Sequence, residues 1–423
     1  MQYSTSKLLL TRFLPLIFLA TVFACQSKEK STADWSISLK DDVTFLASDE
    51  LEGRKTGTEG EQKAAQYIVN RFTTIGLKPA GTEGFYQQYE VTPSQNPHEM
   101  PTVGEGGDSL TIKSKNVISY IDNPSDEMII IGAHYDHLGY GGVSSLFRGD
   151  SAQVHNGADD NASGVAVMIQ LAERLKSKKM NKDILFIAFS GEEEGLWGSN
   201  YFAKNSTVDL GKVTGMINLD MVGRLDEQRG LAIHGVGTSP SWPEMINKAN
   251  TDSLRLVFRE SGVGPSDHTS FYLQDLPVLH FFTGQHADYH KPGDDAEKLN
   301  YEGMVKVAEM IERIAAGLDE SEKLAFTKTK DESNDTPRFT VSLGVVPDYL
   351  FGGKGMRIDG ISEGKPAQAA GLQKGDIVVK LGDNEVVDMM SYMKALSTFE
   401  KGNETTVVVK RGDEELELPL KFF

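Results

Sequence analysis

The chain has almost no cysteine. Cys25 is the single cysteine among 423 residues, and it lies before every segment with the pattern of a folded domain. A lone cysteine cannot form a disulfide within the chain, and no thiol nucleophile is available in the part that would fold. Stability and chemistry must therefore come from packing and from other side chains.

An excess of positive charge is also missing. The sequence has 43 lysines and arginines against 61 aspartates and glutamates, a formal net charge of −18. This balance excludes a nucleic-acid partner, because phosphate binding needs a basic face. With 39% hydrophobic and 25% charged residues, the composition is that of a globular protein, and the length predicts two or three domains.

Long hydrophobic runs are scarce. The run over 13–24 follows Lys7 and Arg12 and is too short to span a bilayer, so it reads as the apolar core of a signal peptide. Its end, Val-Phe-Ala-Cys at 22–25, resembles a bacterial lipoprotein signal. The resemblance implies that residues 1–24 are removed, that Cys25 carries lipid, and that 25–33 is a tether. We then expect an exported protein anchored at the periplasmic or cell-surface side of a membrane, such as the outer membrane; the alternative is a secretory or anchor sequence with an incidental cysteine.

Apolar runs and amphipathic segments alternate from Met128 onward. Strands are predicted at 128–133, 184–190, 216–220, 231–235 and 277–282, and helices at 161–178, 196–204, 240–250, 267–274 and 301–316. This alternation predicts an α/β fold, with a mainly parallel central sheet covered by helices. Upstream, we expect a helix near Asp41, a second helix from about Gly60 to Ile75, and a polar loop or small excursion over 92–116.

Two histidines and four carboxylates occur in order: His134, Asp160, Glu192, Glu193, Asp220 and His290. Most of them follow a predicted strand, and Asp160 precedes the predicted helix over 161–178. The carboxyl ends of parallel strands meet at one edge of a sheet, where such folds bind ligands. Imidazoles and carboxylates together are the donors of a hydrolytic two-metal centre. Two zinc ions that share one carboxylate would use two histidines and three carboxylates, which leaves one carboxylate free to move a proton.

The metal-ligand segments, together with LASDELEGRKTGTEG at 46–60 and GLKPAG at 76–81, resemble the co-catalytic di-zinc aminopeptidases over about 40–316. Relatives of that family include glutamate carboxypeptidase and glutaminyl cyclase. The resemblance implies that one zinc is held by His134, Asp160 and Asp220, and the other by Asp160, Glu193 and His290. It also implies that Glu192 is the general base, that Asp136 orients His134, and that the Asp160–Asn161 peptide bond is cis.

Several neighbours of these residues have open roles. His280 and His286 compete with His290 as the last ligand. Ser266, Asp267 and His268 either support the ligands or are structural. Arg54 and Arg224 could contact substrate, but salt-bridged structural roles are favoured.

The C-terminal part forms a separate unit. Residues 319–337 are charged and predict a linker between a catalytic domain over 34–318 and a β-rich domain over 338–423. The segments SLGVV at 342–346 and AQAAGLQKGDIVVKLGD at 367–383 resemble a bacterial PDZ domain. The resemblance implies that Leu343, Gly344 and Val345 form the loop that meets the carboxylate of a peptide or protein C-terminus. The alternative is a PDZ fold that packs on the catalytic domain and binds nothing.

Together these patterns predict a lipid-anchored exopeptidase with two zinc ions per chain. An aminopeptidase acting on peptides with a free N-terminus is favoured, with a metal-bound hydroxide as nucleophile. A carboxypeptidase or a glutaminyl cyclase on the same scaffold is a second hypothesis. A non-catalytic peptide-binding lipoprotein is a third.

Overall fold

The computed structural model describes residues 1–2, 30–92, 102–104, 111–142, 144–149, 151–330, 340–348, 351–362 and 364–423. The apolar run at 13–24 and the expected lipidation site Cys25 lie outside the described residues. Among the residues that are described, no helix has both the length and the apolar character needed to cross a bilayer.

A mixed sheet of ten strands forms the centre of the larger domain. Its strands are β1 (Lys78–Pro79), β2 (Tyr86–Thr92), β3 (Thr102–Gly104), β4 (Ile112–Ile121), β5 (Met128–His134), β6 (Asp183–Phe189), β7 (Val213–Leu219), β8 (Leu231–His234), β9 (Leu256–Phe258) and β10 (Val278–Phe282). The spatial order is β3-β2-β4-β6-β5-β7-β10-β8-β9, and β1 pairs with β4.

The four central strands of this sheet, β6, β5, β7 and β10, run parallel to one another. Antiparallel pairs join β4 to one side of this core and β8 to the other. Every residue of β5 and β7 is buried, because helices cover both faces of the sheet. The predicted α/β class with a mainly parallel centre is confirmed.

Seven helices of the larger domain are described: α1 (Thr32–Leu46), α2 (Glu59–Ile75), α3 (Gly164–Lys176), α4 (Trp197–Lys204), α5 (Trp242–Ala249), α6 (His268–Tyr272) and α7 (Tyr301–Glu320). Apolar side chains of α1, α2, α3, α5 and α7 pack in the core on one face of the sheet. The opposite face packs against α4 and α6 through Phe202 and Phe271. The sheet is therefore the middle layer of three.

Part of the predicted loop at 92–116 is wrong, since β4 begins at Ile112 and residues 102–104 form the short strand β3. The strand β4 carries polar side chains into the interior. Ser114 donates to Glu61 Oε1 at 2.5 Å, and Asn116 donates to Gln87 Oε1 at 3.0 Å. Because these buried polar groups satisfy one another, the segment has a strand's structure without a strand's apolar pattern.

The described parts of the two predicted boundary regions, residues 30–33 and 319–330, lie against the larger domain. Helix α1 begins at Thr32, within the predicted tether, where Ser31 and Asp34 form a capping box. Helix α7 continues to Glu320, past the predicted end of the domain. Beyond it, Thr327 donates its main-chain N–H to Thr238 O at 2.8 Å, so this part of the predicted linker follows the domain surface.

The C-terminal unit is a separate sheet with its own core. Its strands are β11 (Val345–Pro347), β12 (Met356–Ile361), β13 (Ile377–Leu381), β14 (Asn384–Glu385), β15 (Glu404–Arg411) and β16 (Glu414–Lys421), with helices α8 (Pro366–Ala369) and α9 (Met389–Leu396). The order is β11-β12-β13-β15-β16, with all pairs antiparallel. Apolar residues of both helices and of the strands form one cluster, as in an independent small domain.

Candidate metal centre

Neighbouring parallel strands deliver most of the predicted ligands to one edge of the sheet. His134 is the last residue of β5, Asp220 follows the last residue of β7, and Glu192 and Glu193 follow β6 by a few residues. His290 lies on the segment after β10. The six residues therefore meet at the carboxyl edge of the sheet, as the sequence pattern predicts.

The first group of ligands lies around the imidazole of His134. Its Nε2 is 3.4 Å from Asp160 Oδ1 and 3.3 Å from Asp220 Oδ1. His134, Asp160 and Asp220 form a group whose ligand atoms all lie within 4.8 Å of one another. His134 and Asp160 are buried, and the side chain of Asp220 is 13% exposed.

The second group lies around His290. Its Nε2 is 3.2 Å from Asp160 Oδ2 and 3.3 Å from Glu193 Oε2. Asp160 thus turns one oxygen toward each histidine. Neither His280 nor His286 takes this position, since His280 stacks on His268 and His286 faces Asp159.

These separations fit zinc. Ligand atoms about 2.0–2.1 Å from a tetrahedral ion are about 3.3 Å from one another, which matches the distances around both histidines. Two imidazoles and three carboxylates are also donors that zinc prefers. The residues present therefore fit two zinc ions that share Asp160.

A constrained turn holds Asp160 between the two groups. The turn Ala158–Ser163 leads into α3, and its Asp160–Asn161 peptide bond is cis. The main-chain N–H groups of Asp159 and Asp160 donate to Asp294 Oδ2 at 2.9 and 3.1 Å. These bonds fix the main chain, so both oxygens of the Asp160 side chain stay free to face the histidines.

The pKa values of the adjacent residues Glu192 and Glu193 are shifted in opposite directions. Burial raises the pKa of Glu192 well above its usual value; nearby His134 opposes this shift and Asp220 adds to it. Burial alone would also raise the pKa of Glu193, but hydrogen bonds with His137 and His290 bring it down to about 2. Glu193 is thus suited to bind a cation, and Glu192 to hold a proton.

Asp136 lies behind His134 and Glu192. Its Oδ1 is 3.6 Å from His134 Nδ1, which is slightly closer to the Asp136 main-chain oxygen at 3.3 Å. The same Oδ1 accepts the Glu192 main-chain N–H at 3.2 Å, and Oδ2 accepts the Thr56 hydroxyl at 2.9 Å. Asp136 therefore joins the strand end that carries His134 to the loop that carries Glu192.

His137 was missed by the sequence reasoning. Its Nδ1 is 2.7 Å from Glu193 Oε1, and its side chain is fully buried. The spacing of His134 and His137, three residues apart in GAHYDH, could have indicated it, since two histidines so close in a ligand segment often serve one site.

Both arginines near the centre have structural partners. Arg54 is 1% exposed and donates to main-chain oxygens of Leu46, Tyr135, Asn156 and Gly157. Its expected salt bridge is absent among the described residues, because carbonyl groups take all of these bonds. Arg224 does form ion pairs, with Asp288 at 3.3 Å and with Asp294 at 3.2 Å.

The segment Ser266-Asp267-His268 lies beside the ligand group, because Ser266 forms a side-chain hydrogen bond with Asp220. Ser266 accepts a hydrogen bond from Asn218 Nδ2 at 2.8 Å, and burial raises the pKa of Asp267 to about 7. His268 stacks on His280 with ring centres 4.6 Å apart. The segment supports the ligand strand β7.

The predicted carboxylate loop of the C-terminal domain precedes the edge strand β11. Gly344 has a φ of 74°, and its main-chain N–H donates to Ser342 Oγ at 3.0 Å. A Cβ at this glycine would lie 2.2 Å from the side chain of Lys365. The aliphatic part of the Lys365 side chain therefore lies against this loop.

A parallel α/β sheet with histidines and carboxylates clustered at its carboxyl edge is an architecture of metal-dependent hydrolases. Residues 116–315 match the family Peptidase family M28, and residues 325–422 match the PDZ domain family. The chain therefore contains a peptidase domain of family M28 followed by a PDZ domain.

Two curated relatives match this chain over about half of its length. An "Aminopeptidase YwaD" of Bacillus subtilis is 28% identical over 56% of this chain and 49% of its own length. An "Alkaline phosphatase isozyme conversion protein" of Escherichia coli is 30% identical over 50% of this chain and 57% of its own length. The chain thus spans about half the length of these relatives.

Solved structures share the fold. A zinc-dependent exopeptidase of Parabacteroides distasonis superposes with a TM-score of 0.54 at 17% identity, over 66% of this chain and 97% of the other. A zinc aminopeptidase of Bacillus subtilis has a TM-score of 0.53 at 16% identity, over 70% and 99%. A glutaminyl cyclase of Porphyromonas gingivalis has a TM-score of 0.51 at 16% identity, over 66% and 96%.

Proposed function

We propose that the protein is a zinc-dependent exopeptidase with two metal ions per chain, acting as an aminopeptidase on peptides with a free N-terminus. The observation that carries the proposal is the pair of three-residue groups that share Asp160 while Glu192 is left over. His134, Asp160 and Asp220 would hold one ion. Asp160, Glu193 and His290 would hold the other.

Bound zinc would lower the pKa of a shared water and polarise the scissile carbonyl. The protein's own part is proton transfer and orientation. Glu192 takes the proton from the attacking water and delivers it to the leaving amine, since its Oε2 lies 4.0 Å from His134 Nε2 and it is not used as a ligand. Asp136 lies against the His134 ring and accepts the main-chain N–H of Glu192, so it fixes the position of the base relative to the ligand.

The alternatives differ in what they need from the site. A carboxypeptidase needs a cation for the substrate carboxylate, and the two arginines beside the centre are held by other groups. A glutaminyl cyclase works with one zinc, whereas both ligand groups are complete here. A binding protein without catalysis has no need of a complete ligand set or of the free Glu192.

Replacing Glu192 tests the catalytic assignment. Glu192→Gln removes the proton carrier but keeps shape, so turnover of aminoacyl nitroanilides should fall by about 10²–10⁴-fold, with two zinc per chain retained. Glu194→Gln is the matched control, since Glu194 pairs with Lys55 at 3.0 Å outside both ligand groups. Normal activity in Glu192→Gln would overturn the role of Glu192.

The substrate class needs its own assay. Wild-type protein should release the N-terminal residue from unblocked peptides and leave N-acetylated copies intact. Release from the C-terminus would favour the carboxypeptidase, and conversion of N-terminal glutamine to pyroglutamate would favour the cyclase. A failure of all three reactions in zinc-loaded protein would favour the binding protein.

The PDZ domain would bind a peptide C-terminus along β11. Leu343 and Gly344 precede this edge strand, which begins at Val345, and the aliphatic part of the Lys365 side chain lies beside Gly344. A peptide with a free C-terminal carboxylate should bind the full protein more tightly than its C-terminal amide. Equal binding would remove the carboxylate role from this loop.

Lipidation and export also form part of the proposal. Cys25 would carry the anchor after removal of 1–24 and hold the protein at the periplasmic or cell-surface side of a membrane, such as the outer membrane. Labelled palmitate should enter the wild-type chain and not Cys25→Ala in a bacterial host. Equal labelling of both would contradict the anchor.

A further inference from the structure

His137 lies in a position that the surrounding main chain defines closely. The main-chain N–H of His137 donates to Arg54 O at 3.2 Å, which fixes the backbone at this residue. Its ring lies over Gly157, where a Cβ would come within 2.5 Å of a ring carbon. Gly157 has a φ of 55°, so the absence of a side chain serves both its conformation and the space for the ring.

The two oxygens of Glu193 have different partners. Oε1 is 2.7 Å from His137 Nδ1, and Oε2 is 3.3 Å from His290 Nε2. The shorter distance is that of a charge-assisted hydrogen bond. The longer one is the separation expected of two ligand atoms on one zinc, about 3.3 Å.

This difference argues against His137 as a metal ligand. His137, Asp160 and Glu193 do form a group with ligand atoms within 4.8 Å of one another. A shared ion would nevertheless require His137 Nδ1 to move away from Glu193 Oε1. As a donor, His137 needs no movement at all.

A carboxylate can bind zinc through one oxygen or through both. A catalytic zinc needs an open position for water or substrate. If Oε1 of Glu193 swung onto the ion, it would take up that position. A donor that holds Oε1 prevents this.

We propose that His137 is a positioning residue that donates from Nδ1 to Glu193 Oε1 and so keeps Glu193 a one-oxygen ligand of the second metal. The inference rests on the proposed two-metal peptidase and deepens it. It assigns a task to a residue outside the five ligands and the general base.

The test compares three substitutions in the full chain. Asn in His137→Asn can place its amide N–H where Nδ1 was, whereas Gln in His137→Gln and Ala in His137→Ala cannot. Metal-free protein is titrated with Co²⁺ alone, and the visible absorption of bound Co²⁺ reports coordination number. Circular dichroism of each variant checks that the fold is retained.

We expect His137→Ala and His137→Gln to bind the second Co²⁺ about 10–100-fold more weakly, with weaker absorption typical of a higher coordination number. Binding of the first ion stays as in wild type, and His137→Asn restores the second. If His137→Ala and His137→Gln bound the second Co²⁺ with unchanged affinity and unchanged spectra, His137 would only fill space and the proposal would be overturned. Loss of the second ion in Asn as well as Ala would show that the ring itself ligates, and would also overturn the proposal.

Different results would contradict the proposed two-metal peptidase itself. If the wild-type chain took up no second ion, or hydrolysed no peptide when fully loaded, the two-metal peptidase would be wrong. The His137 inference fails only when wild type binds two ions and the variants bind them equally well or in the wrong pattern.

Discussion

Arg54 brings a positive charge into the interior beside the ligand groups. Its guanidinium donates to Tyr135 O at 2.8 Å and Gly157 O at 2.9 Å, and so joins the segment of His134 to the turn of Asp160. Burial lowers the pKa of Arg54 to about 10, against the pull of nearby carboxylates. The side chain stays charged at neutral pH, and it holds two ligand segments by their main chains.

Replacing Arg54 should therefore destabilise the whole domain. In Arg54→Met several buried carbonyls lose their donor, and the free energy of unfolding should fall by about 3 kcal/mol or more. Arg54→Lys should recover only part of this, since an ammonium lacks the planar fork that reaches several acceptors. Urea unfolding with chelator present measures both; a change below about 0.5 kcal/mol in Arg54→Met would contradict the account.

At the scale of single residues, the sequence predicts metal ligands better than it predicts hydrogen-bond partners. Ligand types after strand ends placed His134, Asp220 and Glu193 at one edge, because strand topology brings those positions together. The partners of Arg54 are main-chain oxygens, which have no sequence signature. The 2.7 Å contact between His137 Nδ1 and Glu193 Oε1 likewise has no sequence signature, because it depends on the path of the loop that carries Glu193.

The turn Ala158–Ser163 is the element on which both ligand groups depend. Gly157 precedes it with a φ of 55°, and a Cβ there would lie 2.1 Å from Asp160 O. Gly157→Ala must strain or shift the main chain that carries Asp160. We expect a loss of stability of about 1–3 kcal/mol and weaker binding of both ions.

Gly76→Ala is the control for that prediction. Gly76 also has a positive φ, 82°, at the end of α2, but no atom lies within 4 Å of its added Cβ. It should lose stability and keep both ions. Calorimetric zinc titration separates the two variants, and full zinc binding by Gly157→Ala would show that the turn tolerates the shift.

The strands β8 and β10 and the helix α6 bring His234, His280 and His268 together. Rings of His268 and His280 are 4.6 Å apart, and those of His234 and His280 are 5.2 Å apart. Burial, and the neighbouring His234, lower the pKa of His268 to about 3. Burial, and then Arg259, lower the pKa of His234 to about 4.

These shifts predict acid sensitivity. An unfolded histidine gains a proton near pH 6.5, whereas the folded cluster stays neutral down to about pH 4. Each buried histidine therefore makes its whole contribution to the free energy of unfolding above pH 6.5. Below that pH the free energy of unfolding falls by about 1.4 kcal/mol per pH unit for each histidine. His268→Phe, which keeps a ring but does not titrate, should show a shallower slope between pH 6.5 and 4.5 in urea unfolding with chelator; an identical slope would exclude His268 as a source.

The sequence could predict elements where the apolar pattern agrees with burial. Helix α2 was expected over 60–75 and spans Glu59–Ile75, with Gly76 as its left-handed cap. Strand β4 was missed because Ser114 and Asn116 face a buried polar network. Periodicity detects burial of apolar groups, and it does not detect polar groups that satisfy each other inside.

At the scale of the whole molecule, Arg229 connects the two domains. It lies in the segment before β8 and donates to Gln285 O at 3.2 Å, close to the loop of His290. Its other contacts are PDZ carboxylates, Asp348 at 3.2 Å and Asp359 at 3.0 Å. Asp348 follows β11, so the strand expected to receive a peptide is tied to a segment beside the metal centre.

Arg229→Ala should loosen this connection without unfolding either domain. Asp348 keeps Arg357 and Asp359 keeps Lys374 as partners within the PDZ domain, so neither carboxylate is left alone. We expect an increased radius of gyration in X-ray scattering and two separate thermal transitions where wild type shows coupled ones, with zinc content unchanged. Lys374→Ala removes a partner of the same Asp359 but keeps Arg229, and it should leave scattering unchanged. If Arg229→Ala scattered and melted as wild type does, the contact would not hold the domains together.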